Sequence, residues 1–383
     1  MSYIGKTPTP SPLTSSDIAD NIITSAKIVD GAIVTADIAD ANVTAAKLAS
    51  GTVQNQSAFK NIIINGQMNI AQRATSKSSV NSVGYYTVDR WRIGGSSTTS
   101  GTWTQSQDTT VPSGQGFAKS FKMDCTTAKG TLDAGSQFKI EQKIEGQNLQ
   151  YLKKGTSSAE STTLSFWVYA TKTGTNICQL VDTDNSRSIS QAYTISSSNT
   201  WEKKTLTFAG DTSGAFTNDN ATSLEVKWWI TAGTTYSSGT LNTSWNSITN
   251  ANTAVGQVNH ADSTSNNFYM TGVQLEAGTS ASDFEFLPVD VNLRRCQRYY
   301  QILCNSTNKN IPIVQYQGNF RSLAQVFSTE MRTPPTFTVD NYDGFSSFNG
   351  SEVSTNSIHA YEDVSSTSTS SYIVRGVRLD GEL

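Results

Sequence analysis

Apolar residues recur every five positions near the start of the chain: Ile18, Ile23, Ile28, Ile33, Ile38, Val43, Leu48 and Val53. Asp17, Lys27, Asp37 and Lys47 alternate at the third place of each ten-residue block. A spacing of five suits neither regular element. Five residues advance an α-helix by about 500°, so successive apolar side chains lie about 140° apart and form no stripe. In a flat strand an odd spacing sends them to opposite faces. Regular burial therefore predicts a turn within each repeat, and Asp20-Asn21, Asp30-Gly31, Asp40-Ala41 and Ser50-Gly51 supply turn residues at every second one. One chain offers the segment nothing to bury against. Its apolar side chains contribute at most about 1.5–3 kcal/mol each on burial, against about 1 kcal/mol or more for each residue ordered. Three copies about a threefold axis turn all these positions inward. Residues 15–56 thus read as the stalk of a homotrimer, with the period-five residues as its core; the alternative is a disordered linker, in which so strict a spacing has no cause.

From Asn61 the pattern changes. Short apolar runs at 61–64, 85–93, 117–123, 163–170, 204–208, 223–231 and 267–275 are bounded by Gly, Ser, Asn and Asp. Strands this short, with turn signals between them, predict an antiparallel sandwich or barrel. Leu164, Phe166, Val168 and Ala170 share one face of their strand, as do Leu224, Val226, Trp228 and Ile230 of theirs. These read as core. Trp167, Tyr169 and Trp229 then fall on outer faces, where large aromatics are unusual. Two readings stay open: the rings stack on a sugar, or they pack against a neighbouring protomer. A one-residue bulge would exchange the faces.

Pro288 to Asn292 reads as a connection to a last, β-rich module. A helix is expected over 292–301, where Leu293, Cys296 and Tyr300 share a face. Strands are expected at 311–316, 324–331, 336–341 and 372–379, with a loop at 363–371.

Composition narrows the function. Only 36% of residues are hydrophobic and 15% charged, which would also suit a disordered chain, but seven Trp, fourteen Tyr and fifteen Phe argue against disorder. A net charge of −3 without charge runs signals neither nucleic acid nor an anionic membrane. No segment approaches the roughly 20 apolar residues of a membrane span, and residues 1–12 lack the apolar core of a signal peptide. Cys125, Cys178, Cys296 and Cys304 form no CxxC pair and read as buried free thiols. Asp182 and Asp184 make a D-x-D pair that is a weak calcium candidate; without a glycine-centred loop after it, a turn is the preferred reading. His260 and His359 read as surface residues. Two histidines leave little scope for a Ser-His-Asp triad, and no nucleophile elbow, zinc motif or phosphate loop occurs, so no catalysis and no cofactor are expected.

Several segments resemble a known family. NIIINGQMNIAQR at 61–73, YYTVDRW at 85–91 and FYMTGVQLEAGTSASDFEF at 268–286 resemble the jelly-roll domains of bacteriophage tail-fibre and tail-spike proteins, and TLSFWVYA at 163–170 resembles a carbohydrate-binding-module strand. LRRCQRYYQ at 293–301 and EMRTPPTF at 330–337 resemble the terminal module of such fibres. The resemblance implies a β-sandwich of carbohydrate-binding-module type at 60–288 and a small β-rich tip at 292–383, so the chain reads as mainly β, with an anchoring arm at 1–14 and the trimeric stalk ahead of them. It implies a virion structural protein, made in the host cytoplasm, that joins a tail or baseplate protein through residues 1–14. Pro8, Pro10 and Pro12 suit such an extended arm. Host surface glycan or a protein receptor is the partner implied. Alternatives are an adaptor or head fibre, and a polysaccharide-degrading spike.

Overall fold

The computed structural model describes residues 23–24, 27–29, 32–34, 37–38, 59–95, 100–304, 311–312, 314–316, 320–343, 347–348, 350–363 and 373–383. Contacts divide the chain into two units, Met1–Gln56 and Ser57–Leu383.

In the first unit the backbone turns once per five residues. Lys27 N donates to Thr24 O, Ala32 N to Val29 O and Asp37 N to Val34 O, each at 2.9 Å. These turns come twice as often as the turn-type residues alone suggest. Within one chain the repeat's apolar positions are not buried: Ile23, Ile28, Ile33 and Ile38 are 41–54% exposed. Ile18, Val43, Leu48, Val53 and the arm at 1–14 lie outside the described residues.

The second unit begins as a two-layer antiparallel sandwich. Its strands are β1 (Ser76–Val80), β2 (Gly84–Tyr85), β3 (Arg92–Gly94), β4 (Thr102–Asp108), β5 (Ser120–Thr127), β6 (Gln137–Glu145), β7 (Thr162–Ala170), β8 (Gly174–Asp182), β9 (Arg187–Ile195), β10 (Glu202–Phe208), β11 (Thr222–Ala232), β12 (Asn246–Ser247) and β13 (Asn267–Ala277). One short helix, α1 (Thr234–Ser237), follows β11. One sheet has the order β1-β4-β5-β13-β7-β10 and the other β12-β9-β8-β11-β6-β3-β2. Leu164, Phe166, Val168 and Ala170 of β7 join Val226, Trp228 and Ile230 of β11 in one core. The Trp228 ring lies 5.5 Å from Trp91 and 5.8 Å from Phe166. The four cysteines are buried and free.

The run at 61–64 is not a strand. Ile62 N donates to Leu275 O at 2.8 Å, and side-chain amides hold the rest of the run's backbone. Asn61 Oδ1 accepts from Ile63 N at 3.0 Å and Leu275 N at 3.1 Å. Gln142 brackets Ile64, accepting from its N–H at 2.7 Å and donating to its carbonyl at 2.9 Å. A Cβ on Gly66 would lie 2.0 Å from Val273 O, so only glycine fits there.

After the sandwich come α2 (Val289–Gln297), β14 (Tyr300–Cys304), β15 (Ile311–Pro312), β16 (Val314–Tyr316), β17 (Phe320–Val326), β18 (Thr336–Asp343), β19 (Gly350–Val353), β20 (Ser357–Asp363) and β21 (Ile373–Asp380). They form two small sheets, β14-β21-β15 with β18 on β21, and β16-β17-β20-β19. The helix expected at 292–301 starts earlier, after Pro288, and Tyr300 and Gln301 belong to β14. The strand expected at 324–331 stops at Val326, where Phe327 N turns to Asn356 O. The loop expected at 363–371 lies, beyond Asp363, outside the described residues.

Segments that are distant in sequence meet where this module packs on the sandwich. Arg90 is fully buried, with its guanidinium 3.5 Å from the Tyr299 ring, and pairs with Glu382. Arg298 grips Glu145 through Nε at 2.9 Å and Nη2 at 2.8 Å, and the Tyr299 hydroxyl adds a bond at 2.5 Å. Burial alone would raise the Glu145 pKa, but these bonds hold it below the usual carboxylate range. The Arg73 guanidinium lies 3.7 Å from the Tyr300 ring and pairs with Asp380 at 3.0 Å. The motifs at 61–73, 85–91 and 293–301 therefore build one interface.

Candidate functional site

Trp167 and Tyr169 keep partial exposure on the outer face of the six-stranded sheet. The antiparallel register sets Tyr169 of β7 opposite Tyr269 of β13, and Tyr269 opposite Lys122 of β5. Trp201, one residue before β10, completes the row. Its ring lies 5.6 Å from Tyr169 and 6.3 Å from Tyr269, and the two tyrosine rings are 5.1 Å apart. In the next row Trp167 faces Thr271 on one side and Lys203 on the other.

The rings stand at 48–82° to one another, so the patch is ridged rather than flat. Polar groups flank it. Lys122 Nζ sits 5.3 Å from the Tyr269 ring centre and 2.9 Å from Asp124 Oδ2. Burial tends to lower the lysine's pKa, but Asp124 and Tyr269 more than offset it, so the ammonium stays charged. Burial raises the Tyr269 pKa despite Lys122, so its hydroxyl stays protonated. An apolar ridge edged by an ammonium, a carboxylate and hydroxyls can take the C–H face of a sugar while bonding its hydroxyls.

Trp201 and Tyr269 are not among the candidates read from the sequence. Tyr269 was accessible by alternation, because Phe268 and Met270 on either side of it are core. Trp201 precedes its strand, so only the packing of its ring on Tyr169 and Tyr269 reveals it.

Trp229 corrects an expectation. It lies on the outer face of the seven-stranded sheet but is only 2% exposed. The segment between β11 and β13, including α1, folds back over it. Trp229 packs with Ile177 and Ala254, its ring 5.4 Å from Tyr236, and its indole N–H donates to Gln179 Oε1 at 3.2 Å. Its ring is therefore covered by its own chain. Around it this face carries ion pairs, Lys143–Glu225 at 3.6 Å and Lys227–Glu225 at 2.6 Å.

The two aspartates of the D-x-D pair are engaged by their own chain. Asp182 is buried at the end of β8, and Lys154 Nζ sits 2.5 Å from its Oδ2 and 3.1 Å from Asp211 Oδ2. Asp184 turns away and accepts from Thr217 N at 2.9 Å. An ammonium thus lies between the two buried carboxylates. Among the described residues no group of three or more His, Cys, Asp or Glu side chains gathers to hold a metal.

His260, expected on the surface, is fully buried, with Nε2 2.7 Å from Asn176 Oδ1; His359 is exposed. Burial, helped by nearby Lys172, drives the His260 pKa from 6.5 down to about 4. The unfolded chain therefore binds the extra proton first. This residue's stability contribution is complete above pH 6.5 and declines as pH falls toward 4, by about 3 kcal/mol in all. His260→Gln should flatten the fall in melting temperature between those pH values relative to wild type. Parallel curves for the two proteins would contradict this.

No family model and no curated protein matches the chain. Among solved structures, a superposition covering 58% of this chain relates it to tailspike protein 4 of bacteriophage CBA120, at 16% identity and TM-score 0.30. It spans 22% of that spike's enzymatically active domain. A putative sugar-binding protein of Bacteroides thetaiotaomicron superposes at 11% identity and TM-score 0.31, over 57% of this chain and 99% of that one. A family 30 carbohydrate-binding module gives 9% identity and TM-score 0.29, over 60% and 93%. Superpositions this loose carry no functional assignment.

Proposed function

We propose that the chain is a homotrimeric structural fibre of a bacteriophage virion, which attaches to host surface glycan through the Trp201–Tyr169–Tyr269 patch. The observation that carries this reading is the patch itself: half-buried Trp201 and Tyr169, backed by the buried Tyr269 ring and with Trp167 beside them, on an outer sheet face edged by Lys122 and Asp124. The exposed period-five isoleucines favour three chains together, and three patches on one body allow weak sites to act jointly. Residues 1–14 dock the fibre to the tail. On this reading the protein binds glycan without cleaving it.

Retention of the full chain on host cells tests the proposal. Cells stripped of surface polysaccharide should lose it. Equal retention on both would favour the adaptor or head-fibre role, and sustained release of reducing ends from the polysaccharide would favour a degrading spike.

Sedimentation equilibrium should give three times the chain mass of 41.3 kDa. Placing Ile28→Asp and Ile33→Asp together should dissociate it, because each buries a charge against its two copies. A wild-type monomer would contradict the stalk.

A further inference from the structure

We infer that a second site, in the cleft between the Phe59–Ile64 segment, the 3-10 turns Gly146–Asn148 and Gln150–Leu152, and helix α2, binds a carboxylate-bearing sugar. The cleft has a volume of about 590 Å³, within the size range of small-ligand sites. It opens between two exposed rings, Phe59 at 59% and Tyr151 at 48% exposure.

The cations lining it differ in their commitments. Arg298 is spent on Glu145, and Lys143 lies 3.6 Å from Glu225. Arg295 makes one long bond, Nη2 to Asn61 O at 3.3 Å. Its Nη1 is buried with no hydrogen-bond partner among the described residues. The neighbouring acid does not serve it, because Glu285 turns its oxygens to the N–H groups of Phe59 and Asn61. A buried guanidinium donor left unpaired is costly, and its fork matches a carboxylate. An anionic oxygen supplied from solution would complete its hydrogen bonding.

The rest of the lining points to a sugar as its carrier. Phe59 and Tyr151 offer apolar surface to ring C–H groups, and Gln147 and Asn148 place amides at the same rim. An acidic sugar such as a uronate joins both features. This site does not depend on the sheet-face patch, with which it shares no residue.

Ligand-observed saturation-transfer NMR of the full chain with sodium glucuronate and with glucose tests the inference. Glucuronate should bind about tenfold or more tighter than glucose, the worth of one charge-assisted hydrogen bond pair. Arg295→Gln should abolish that preference. Tyr151→Ala should weaken glucuronate binding, because its ring lines this cleft. Equal binding of the two sugars, or a preference that survives Arg295→Gln in a protein of unchanged melting temperature, would overturn the site. Should Arg295→Gln not fold, Tyr151→Ala decides, since its ring is exposed: glucuronate binding unchanged in that variant overturns the site equally.

Discussion

Lys154→Met should cost the sandwich about 3–5 kcal/mol, the usual penalty for leaving a buried charge without its partner. The Lys154 ammonium contacts Asp182 and Asp211 and also donates to Ser213 O at 2.9 Å and Gly214 O at 2.7 Å. It joins the end of β8 to the loop after β10. Without it, Asp182 keeps only the N–H groups of Asn185, while Asp211 keeps Arg187. The loss should therefore centre on Asp182. Adding Asp182→Asn to Lys154→Met should recover much of it, which a simple packing defect would not allow. Guanidinium unfolding of the three proteins measures both effects. A single-variant loss below about 1 kcal/mol would show that the ammonium is not the keystone of this loop.

The second large effect concerns attachment. Tyr169 is the middle ring of its row, and Tyr169→Ala removes the contact shared with Trp201 and Tyr269. A central aromatic anchor is worth about 1–2 kcal/mol per site, or roughly tenfold. Where three sites engage one surface, the loss compounds, so the half-saturating concentration on immobilised host polysaccharide should rise by about 10²-fold or more. The ring is on a surface, so the fold should be unaffected. Wild-type retention by a folded Tyr169→Ala trimer would rule out the patch as the attachment site.

Much of the sandwich was legible in the sequence. Alternation in β7 and β11 gave the buried faces directly, because Leu, Phe, Val and Trp there occupy every second place. β6 was harder. QFKIEQKIE alternates as cleanly, but lysines and glutamates fill its outer places and dilute its apolar content. The 61–64 run misled for the opposite reason. Three isoleucines suggest a strand, but apart from one backbone bond, Ile62 N to Leu275 O, the amides of Asn61 and Gln142 hold this run, a pairing that only tertiary structure supplies.

The site was half legible. Two of its rings follow from alternation, whereas joining four strands into one patch needs the sheet order. Trp229 shows the converse limit. Its outward direction is a property of the strand, but its burial comes from a segment that folds back from elsewhere in the chain. His260 is buried for a similar reason, beside Asn176 of β8 and the Phe268 ring of β13.

The most direct test of glycan attachment uses the seven tryptophans as reporters. In the full chain labelled with 5-fluorotryptophan, fluorine NMR during titration with host polysaccharide fragments should move the signals of Trp201 and Trp167. The signals of Trp91, Trp103, Trp228 and Trp229, all buried, should stay in place. Binding that leaves Trp201 and Trp167 unmoved would contradict attachment through this patch.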